Sequence, residues 1–86
     1  MSNLERINKI KLILEEKFKP SFIDIIDDSD AHIGHKGAES GKGHFELSIK
    51  SNYFNNMSLI QSHRAIYQAL GSLMQTDIHA LQIHVE

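Results

Sequence analysis

Six histidines and the complete absence of cysteine limit the metal chemistry open to this chain. Neutral imidazole is a borderline-soft ligand that titrates near physiological pH, so clustered histidines raise metal binding or proton transfer as hypotheses, beside the common case of solvated loop histidines. His32 and His35 are separated by two residues in a glycine-rich stretch with nearby aspartates, and His79 opens the last apolar segment. Any metal site must use nitrogen or carboxylate donors, because the chain offers no thiolate.

Strand and helix periodicity predicts different surroundings for the remaining histidines and for His79. His44 and His84 alternate with apolar residues and are predicted to point away from the core, towards solvent or a partner surface. His63 lies on an apolar helical stripe, which favours packing over chemistry. His79 shares strand parity with Leu81, which predicts a place at the end of the buried face. At this position His79 is either a half-buried histidine that forms a hydrogen bond with the backbone, or a rigidly held metal ligand that acts together with His32 or His35 of the loop.

Hydrophobic spacing predicts two helices and three strands that carry these side chains. The predicted elements, in order, are a helix over 4–18, strands over 22–26 and 44–50, a helix over about 59–74 and a strand over 78–85. The apolar stripe of the first helix consists of Leu4, Ile7, Ile10, Ile13, Leu14 and Phe18. The stripe of the second helix consists of Leu59, Ile60, His63, Ile66, Tyr67, Leu70 and Leu73. Capping boxes that join Ser2 to Glu5 and Ser58 to Gln61 begin the two helices. Residues 27–43 hold four of the five glycines and form a long connection.

This order, α-β-β-α-β, is typical of a two-layer α+β domain with both helices on one face of a three-stranded mixed sheet. The first two strands are expected to pair antiparallel, and an extra turn is expected around 54–56. A length of 86 residues, with 41% hydrophobic and 23% charged residues, fits one domain over 1–86. No signal peptide and no apolar run of ~20 residues is visible, which predicts a cytoplasmic protein that does not enter the membrane.

Charge distribution and short motifs argue against a nucleotide site or a catalytic site. The net charge of −2 divides into +2 over residues 1–20, −3 over 21–50 and −1 over 51–86, so no broad basic face emerges. The stretch from Gly37 to Gly43 lacks the spacing and the final hydroxyl of a phosphate-binding loop, and no nucleophile elbow is present. We predict no catalytic residue.

With these elements placed, the chain resembles the BolA family through short motifs spread over nearly its whole length. The matching residues are Asp27-Asp28-Ser29, His32, Gly34-His35, Gly43-His44-Phe45, Ser51, Phe54, His63-Arg64-Ala65-Ile66-Tyr67 and His79-Ala80-Leu81. Their order and spacing, taken together, make the resemblance specific. It implies a KH-like fold of the second class and no enzymatic activity.

The resemblance also implies a heterodimer with a monothiol glutaredoxin that bridges a [2Fe–2S] cluster. In such a complex the partner and glutathione supply thiols, and the BolA protein supplies a terminal-strand histidine and a loop histidine or cysteine. His79 matches the terminal-strand ligand, and His32 matches the loop ligand, with His35 as a close competitor. The implied role is in iron–sulfur cluster assembly or trafficking and in iron or redox regulation.

The family is also associated with transcription regulation through nucleic-acid binding by the second half of the fold. The candidate residues for this alternative are Arg64, His63 and Lys50. The predicted second helix carries Arg64 as its one formal charge, whereas contacts to several phosphates need several cations. We therefore expect weak, salt-sensitive DNA binding at best. Alone, the chain is expected to be a monomer or a weak homodimer.

Overall fold

The computed structural model describes residues 3–28 and 43–86 of the chain. Their elements are α1 (Asn3–Phe18), β1 (Phe22–Asp27), β2 (Gly43–Lys50), a 3-10 turn (Asn52–Phe54), α2 (Leu59–Leu70), α3 (Leu73–Thr76) and β3 (Ile78–Val85). This order confirms the predicted α+β class. No helix within the two described ranges is long and apolar enough to cross a membrane. The predicted loop ligands His32 and His35 and the predicted cap Ser2 lie outside the described residues.

The central strand of the sheet is β2, and the strand order is β1-β2-β3. It pairs antiparallel with β1, from Phe22 opposite Lys50 to Asp27 opposite Phe45, as predicted. Its other neighbour, β3, runs parallel to it. Parallel strands need a crossover connection, which α2 and α3 supply here. The sheet is therefore mixed, as predicted.

Side-chain alternation along β2 separates a helix-covered face of the sheet from an open face. The buried apolar core consists of Ile10, Leu14, Phe18, Phe45, Leu47, Ile49, Phe54, Ile66, Leu70 and Ile78. It joins α1 and α2 to the same side of β2. On the other side, Glu46 and Ser48 are half-buried and Lys50 is exposed. Both long helices therefore pack on one face of the sheet, as predicted.

The first turn of each long helix extends beyond the core, which corrects the predicted apolar stripes. Leu4 of α1 is largely exposed, although the same stripe is buried further along the helix. The exposed apolar residues of the α2 stripe are Leu59, Ile60 and Tyr67. The buried residues of α2 are Ser62, Ile66 and Leu70, which repeat every four positions. The buried stripe of α2 is therefore narrower than predicted, and it begins one turn later.

The predicted helix over about 59–74 is interrupted at Gly71. This residue has a φ of 53°, a left-handed conformation that glycine adopts without steric cost. Its N–H donates to the carbonyl of Tyr67 at 3.0 Å and ends α2, and α3 then forms a separate short turn. The predicted start of α2 is confirmed, because Ser58 and Gln61 bond reciprocally in a capping box.

The end of α1 is marked by Lys19, which has a φ of 45°. Its N–H donates to the carbonyl of Glu15 at 3.0 Å, in a terminal turn where glycine or asparagine is usual. A side chain with a β-carbon in this conformation costs about 1–2 kcal/mol. Next to it, the Ser51 hydroxyl donates to the carbonyl of Phe18 at 2.5 Å and fastens the end of α1 to the end of β2.

The buried carboxylate of Asp77 fastens the start of β3 to α1. Its Oδ2 lies 3.5 Å from Nε of Arg6, and its Oδ1 accepts a hydrogen bond of 2.6 Å from the Thr76 hydroxyl. The Thr76 bond, together with the charges of Lys9 and Arg6, lowers the pKa of Asp77 below its ordinary value of 3.8, in spite of the opposing effect of burial. The folded chain therefore stabilises the charged form of this carboxyl group.

We expect Asp77→Asn to lower the free energy of unfolding at neutral pH by about 1–2 kcal/mol, because the partly buried guanidinium of Arg6 loses its counter-charge. A lowered folded-state pKa gives stability that is present above the unfolded-state pKa and is lost as pH falls through the folded-state pKa. The free energies of unfolding of wild type and variant, measured with urea, should therefore become equal in that acidic range. Asp24→Asn, which changes an exposed carboxylate on β1, is the control and should unfold like wild type. A difference for Asp77→Asn that persists unchanged into strong acid would contradict this account.

Candidate functional site

A β-bulge at the start of β3 determines where His79 lies. Gly43 of β2 pairs with Ile78, but the next residue, His44, pairs with Ala80, so His79 is an additional residue on β3. A bulge shifts side-chain alternation by one position. Ile78 is buried, whereas His79 and Ala80 are both exposed. The prediction that strand parity places His79 at the end of the buried face is wrong for this reason.

His44 lies against His79, with ring centroids 4.8 Å apart and ring planes inclined by 53°. His44 is only 5% exposed, so its predicted solvated position is wrong. Alternation correctly assigns it to the face opposite the helices, but the His79 ring covers part of that face here. Alternation within β2 could not reveal a bulge in the neighbouring strand. The sequence did single out His44 in one way, because Gly43-His44-Phe45 is one of the motifs that match the BolA family.

Both ends of the segment 29–42 attach to the sheet beside this histidine pair. At one end, the Asp28 N–H donates to the carbonyl of His44 at 2.8 Å. At the other end, the Gly43 N–H donates to the carbonyl of Asp77 at 2.9 Å. The chain therefore leaves and re-enters the sheet next to the start of β3. The two predicted loop ligands belong to this segment.

The exposed imidazole of His79 is the side chain at this end of the sheet that is best suited to bind a metal ion. Imidazole nitrogen is a good donor to iron, zinc and copper. In the ranges 3–28 and 43–86, no group of three or more His, Cys, Asp or Glu residues is placed to hold a metal ion. A complete coordination shell around His79 would therefore need donors from the segment 29–42 or from another molecule.

His84 lies on the same strand as His79, five residues further along, and is exposed as predicted. Its Nε2 lies 3.5 Å from Oε1 of Glu46, across the open face of the sheet. Solvent reaches both side chains, so the pair contributes little to the free energy of unfolding. His84 therefore lies in the same strand as His79 but away from the bulge.

The three candidates for nucleic-acid binding do not form one surface. Arg64 is exposed on α2, in the helix layer, whereas Lys50 is exposed at the end of β2 on the face opposite the helices. His63 is half-buried, as a packing role predicts, and its Nε2 has no hydrogen-bond partner within the described part of the chain. A nucleic-acid backbone that follows one face of the domain would therefore contact either Arg64 or Lys50, but not both.

Comparison with known sequences identifies a family. Residues 14–86 match the family described as BolA-like protein. The chain is 38% identical over 80 residues to the protein named DNA-binding transcriptional regulator BolA from Haemophilus influenzae. This alignment covers 88% of the present chain and 75% of that relative. The family and the regulator name of this relative agree with the resemblance carried by the sequence motifs.

Two solved plant structures share the fold. The BolA domain of SufE1 from Arabidopsis thaliana has a TM-score of 0.83 at 34% identity, and the match covers 94% of this chain and 90% of that chain. BolA1 from Arabidopsis thaliana has a TM-score of 0.79 at 29% identity, with coverage of 93% and 88%. Both confirm the predicted arrangement of helices on a three-stranded mixed sheet. From the sequence motifs, the fold and these matches together, we conclude that the chain belongs to the BolA-like family.

Proposed function

We propose that this BolA-like protein is a non-enzymatic adaptor that binds a monothiol glutaredoxin and shares a [2Fe–2S] cluster with it. His79 and either His32 or His35 supply imidazole ligands, and the glutaredoxin and glutathione supply thiolates. The process served is iron–sulfur cluster assembly or trafficking, together with iron or redox regulation. The observation that carries the proposal is that His79 is exposed at the bulge, beside the two hydrogen bonds that attach the ends of the segment 29–42 to the sheet. This segment contains His32 and His35.

Chain length supports a pairing of His79 with either loop histidine. His32 follows Asp28 by four residues, and the N–H of Asp28 is bonded to the carbonyl of His44. Four residues span at most ~14 Å. His35 follows Asp28 by seven residues, which span at most ~25 Å. Chain length is therefore compatible with a pairing of His79 with either histidine, and variants must distinguish them.

The donor set of this chain fits half of a shared site. A [2Fe–2S] cluster takes four protein ligands, and histidine replaces cysteine on one iron in some proteins, which raises the reduction potential. Two imidazoles from this cysteine-free chain leave two positions for thiolates from the partner side. The ring of His44, packed against His79, restricts the orientation of the proposed ligand. Such a restriction reduces the entropy that the ring loses when it binds.

We expect His79→Ala to prevent formation of the cluster-bridged heterodimer. The purified chain would be mixed with a monothiol glutaredoxin, glutathione, iron and sulfide, and the coloured product would be examined by visible circular dichroism. Wild type should give a spectrum distinct from that of the glutaredoxin homodimer, and His79→Ala should give the homodimer spectrum. Because His79 is exposed, the substitution should leave the fold intact. An unchanged heterodimer spectrum and cluster lifetime would show that His79 is not a ligand.

His84→Ala is the matched control, because it removes an exposed histidine from the same strand away from the bulge. It should leave the heterodimer spectrum as in wild type. His32→Ala and His35→Ala, tested separately, identify the loop ligand as the one whose loss changes the spectrum. If neither single variant changes it, the proposed participation of a loop histidine is wrong.

A second candidate function is transcription regulation through nucleic-acid binding, which the name of the Haemophilus influenzae relative favours. Arg64, exposed on α2, is the cation that this function would use. Lys50 lies on the opposite face of the sheet and cannot follow the same phosphate backbone. Binding would then rest on about one phosphate contact, which gives low affinity and a shallow salt dependence.

Duplex DNA binding, measured by fluorescence anisotropy at increasing NaCl, is therefore expected to be weak. The logarithm of the affinity should fall with the logarithm of salt concentration with a slope of about −1, and Arg64→Ala should bring the slope close to zero. Lys50→Ala, a charge removed from the opposite face, is the control. Sub-micromolar, sequence-dependent binding at physiological salt that Arg64→Ala abolishes would favour the regulator over the adaptor.

A further inference from the structure

A cavity of about 460 Å³ opens at the end of β2 that is remote from His79, between the end of α1 and the turn that follows β2. Its lining residues are Lys17, Phe18, Lys19, Ser21, Ser51, Asn52 and Tyr53. We propose that this cavity binds a phosphate group between the ammonium groups of Lys17 and Lys19. The volume lies within the usual range of small-ligand sites, about 300–1,000 Å³.

The chemistry of the lining fits an anion. Lys17 and Lys19 contribute two positive charges, and none of the residues that line the cavity is acidic. Lysine binds phosphate as a compact point charge with three N–H donors. Asn52 adds an exposed side-chain amide, and Ser21 adds a hydroxyl group. Phosphate is the anion of choice for such a lining because it accepts several charge-assisted hydrogen bonds at once.

The backbone conformation of Lys19 is a second, independent observation. Its φ of 45° belongs to a region that glycine or asparagine fills with less strain at the end of a helix. A strained residue persists where the surrounding structure enforces it, and such residues cluster at ligand sites. Here the strained residue is also one of the two lysines that border the cavity. The chain therefore keeps an ammonium group at a position where another residue would fit the backbone better.

The end of α1 opposes anion binding, because helix C-termini carry a partial negative charge of about half an elementary charge. Two features offset it. The Ser51 hydroxyl donates to the terminal carbonyl of Phe18 and so engages one of the exposed acceptors. Lys17 and Lys19 also line the cavity, whereas Glu15 and Glu16 of the same helical turn do not, so the positive charges are the ones that border a bound anion.

Tyr53 gives the cavity an aromatic wall. Its ring is 44% exposed, is held edge-on by Phe18 with centroids 4.8 Å apart, and has Nζ of Lys17 6.0 Å from its centroid. An exposed, fixed ring can pack against a planar group attached to the phosphate. The phosphate can therefore come from two sources, free inorganic phosphate or a nucleotide, and the relative affinities for phosphate and AMP distinguish them.

This site is independent of the proposed cluster function. β2 runs from Gly43, beside His79, to Lys50, beside the cavity, and its eight residues span roughly 23 Å at about 3.3 Å per residue. The two sites therefore lie at opposite ends of the sheet. Phosphate binding is tested on the isolated chain without glutaredoxin, so its failure would leave the His79 proposal unaffected.

Binding would be measured by nuclear magnetic resonance titration of the full chain, in a phosphate-free buffer, with inorganic phosphate, AMP and adenosine as separate probes. We expect amide signals of Ser51, Asn52 and Tyr53 to shift with phosphate and AMP and to remain in place with adenosine. Tighter binding of AMP than of phosphate identifies a nucleotide source, and equal binding identifies free phosphate. Either result supports the site, whereas equal shifts with adenosine and AMP would overturn it.

Lys19→Asn and Lys17→Gln should each weaken phosphate and AMP binding about three- to tenfold, as expected for one charge in a partly enclosed site. Asparagine tolerates the left-handed conformation, so Lys19→Asn should remain folded. Lys11→Gln removes an exposed lysine of α1 that does not line the cavity and should bind like wild type. Equal weakening by Lys11→Gln would indicate diffuse attraction to α1 and would overturn the proposal, as would unchanged affinity in both lining variants.

Discussion

The pairing of β2 with both of its neighbours is the constraint on which the rest of this structure depends. β2 is antiparallel to β1 and parallel to β3, and its inward residues Phe45, Leu47 and Ile49 form the base of the core under both long helices. A strand that is hydrogen-bonded on both sides and buried on one face has little freedom to change register. Its two ends are therefore fixed in space, and each end carries one of the two candidate sites.

The register between β2 and β3 places one residue more on β3 than on β2, and that residue is His79. The surroundings hold this irregularity in place. Asp77 is bound through its side chain to Arg6 and Thr76, and its carbonyl accepts from the N–H of Gly43. A bulge re-aims a side chain without moving the strand that carries it. The bulge thus exposes an imidazole at a position held by the sheet, which is what a ligand shared with a partner would need.

The two ends of β2 differ in the chemistry that they offer. At the end with His79 and His44, imidazoles lie beside the anchors of the segment 29–42. At the other end, lysines and hydroxyl groups surround a cavity. The net charge of −2 conceals this separation, because Lys17 and Lys19 line the cavity while Glu15 and Glu16 of the same helical turn do not.

Local hydrophobic periodicity was sufficient to predict α1, the three strands, the capping box at Ser58 and the α+β plan, because each depends on neighbours within a few residues. The order of short motifs was likewise sufficient to predict the family. Periodicity placed His79 and Leu59 on the buried side and His44 in solvent or at a partner surface, whereas in the folded chain His79 and Leu59 are exposed and His44 is buried. Burial and strand register depend on what lies opposite in space, and a single segment does not encode its neighbour's extra residue or the point where the core ends.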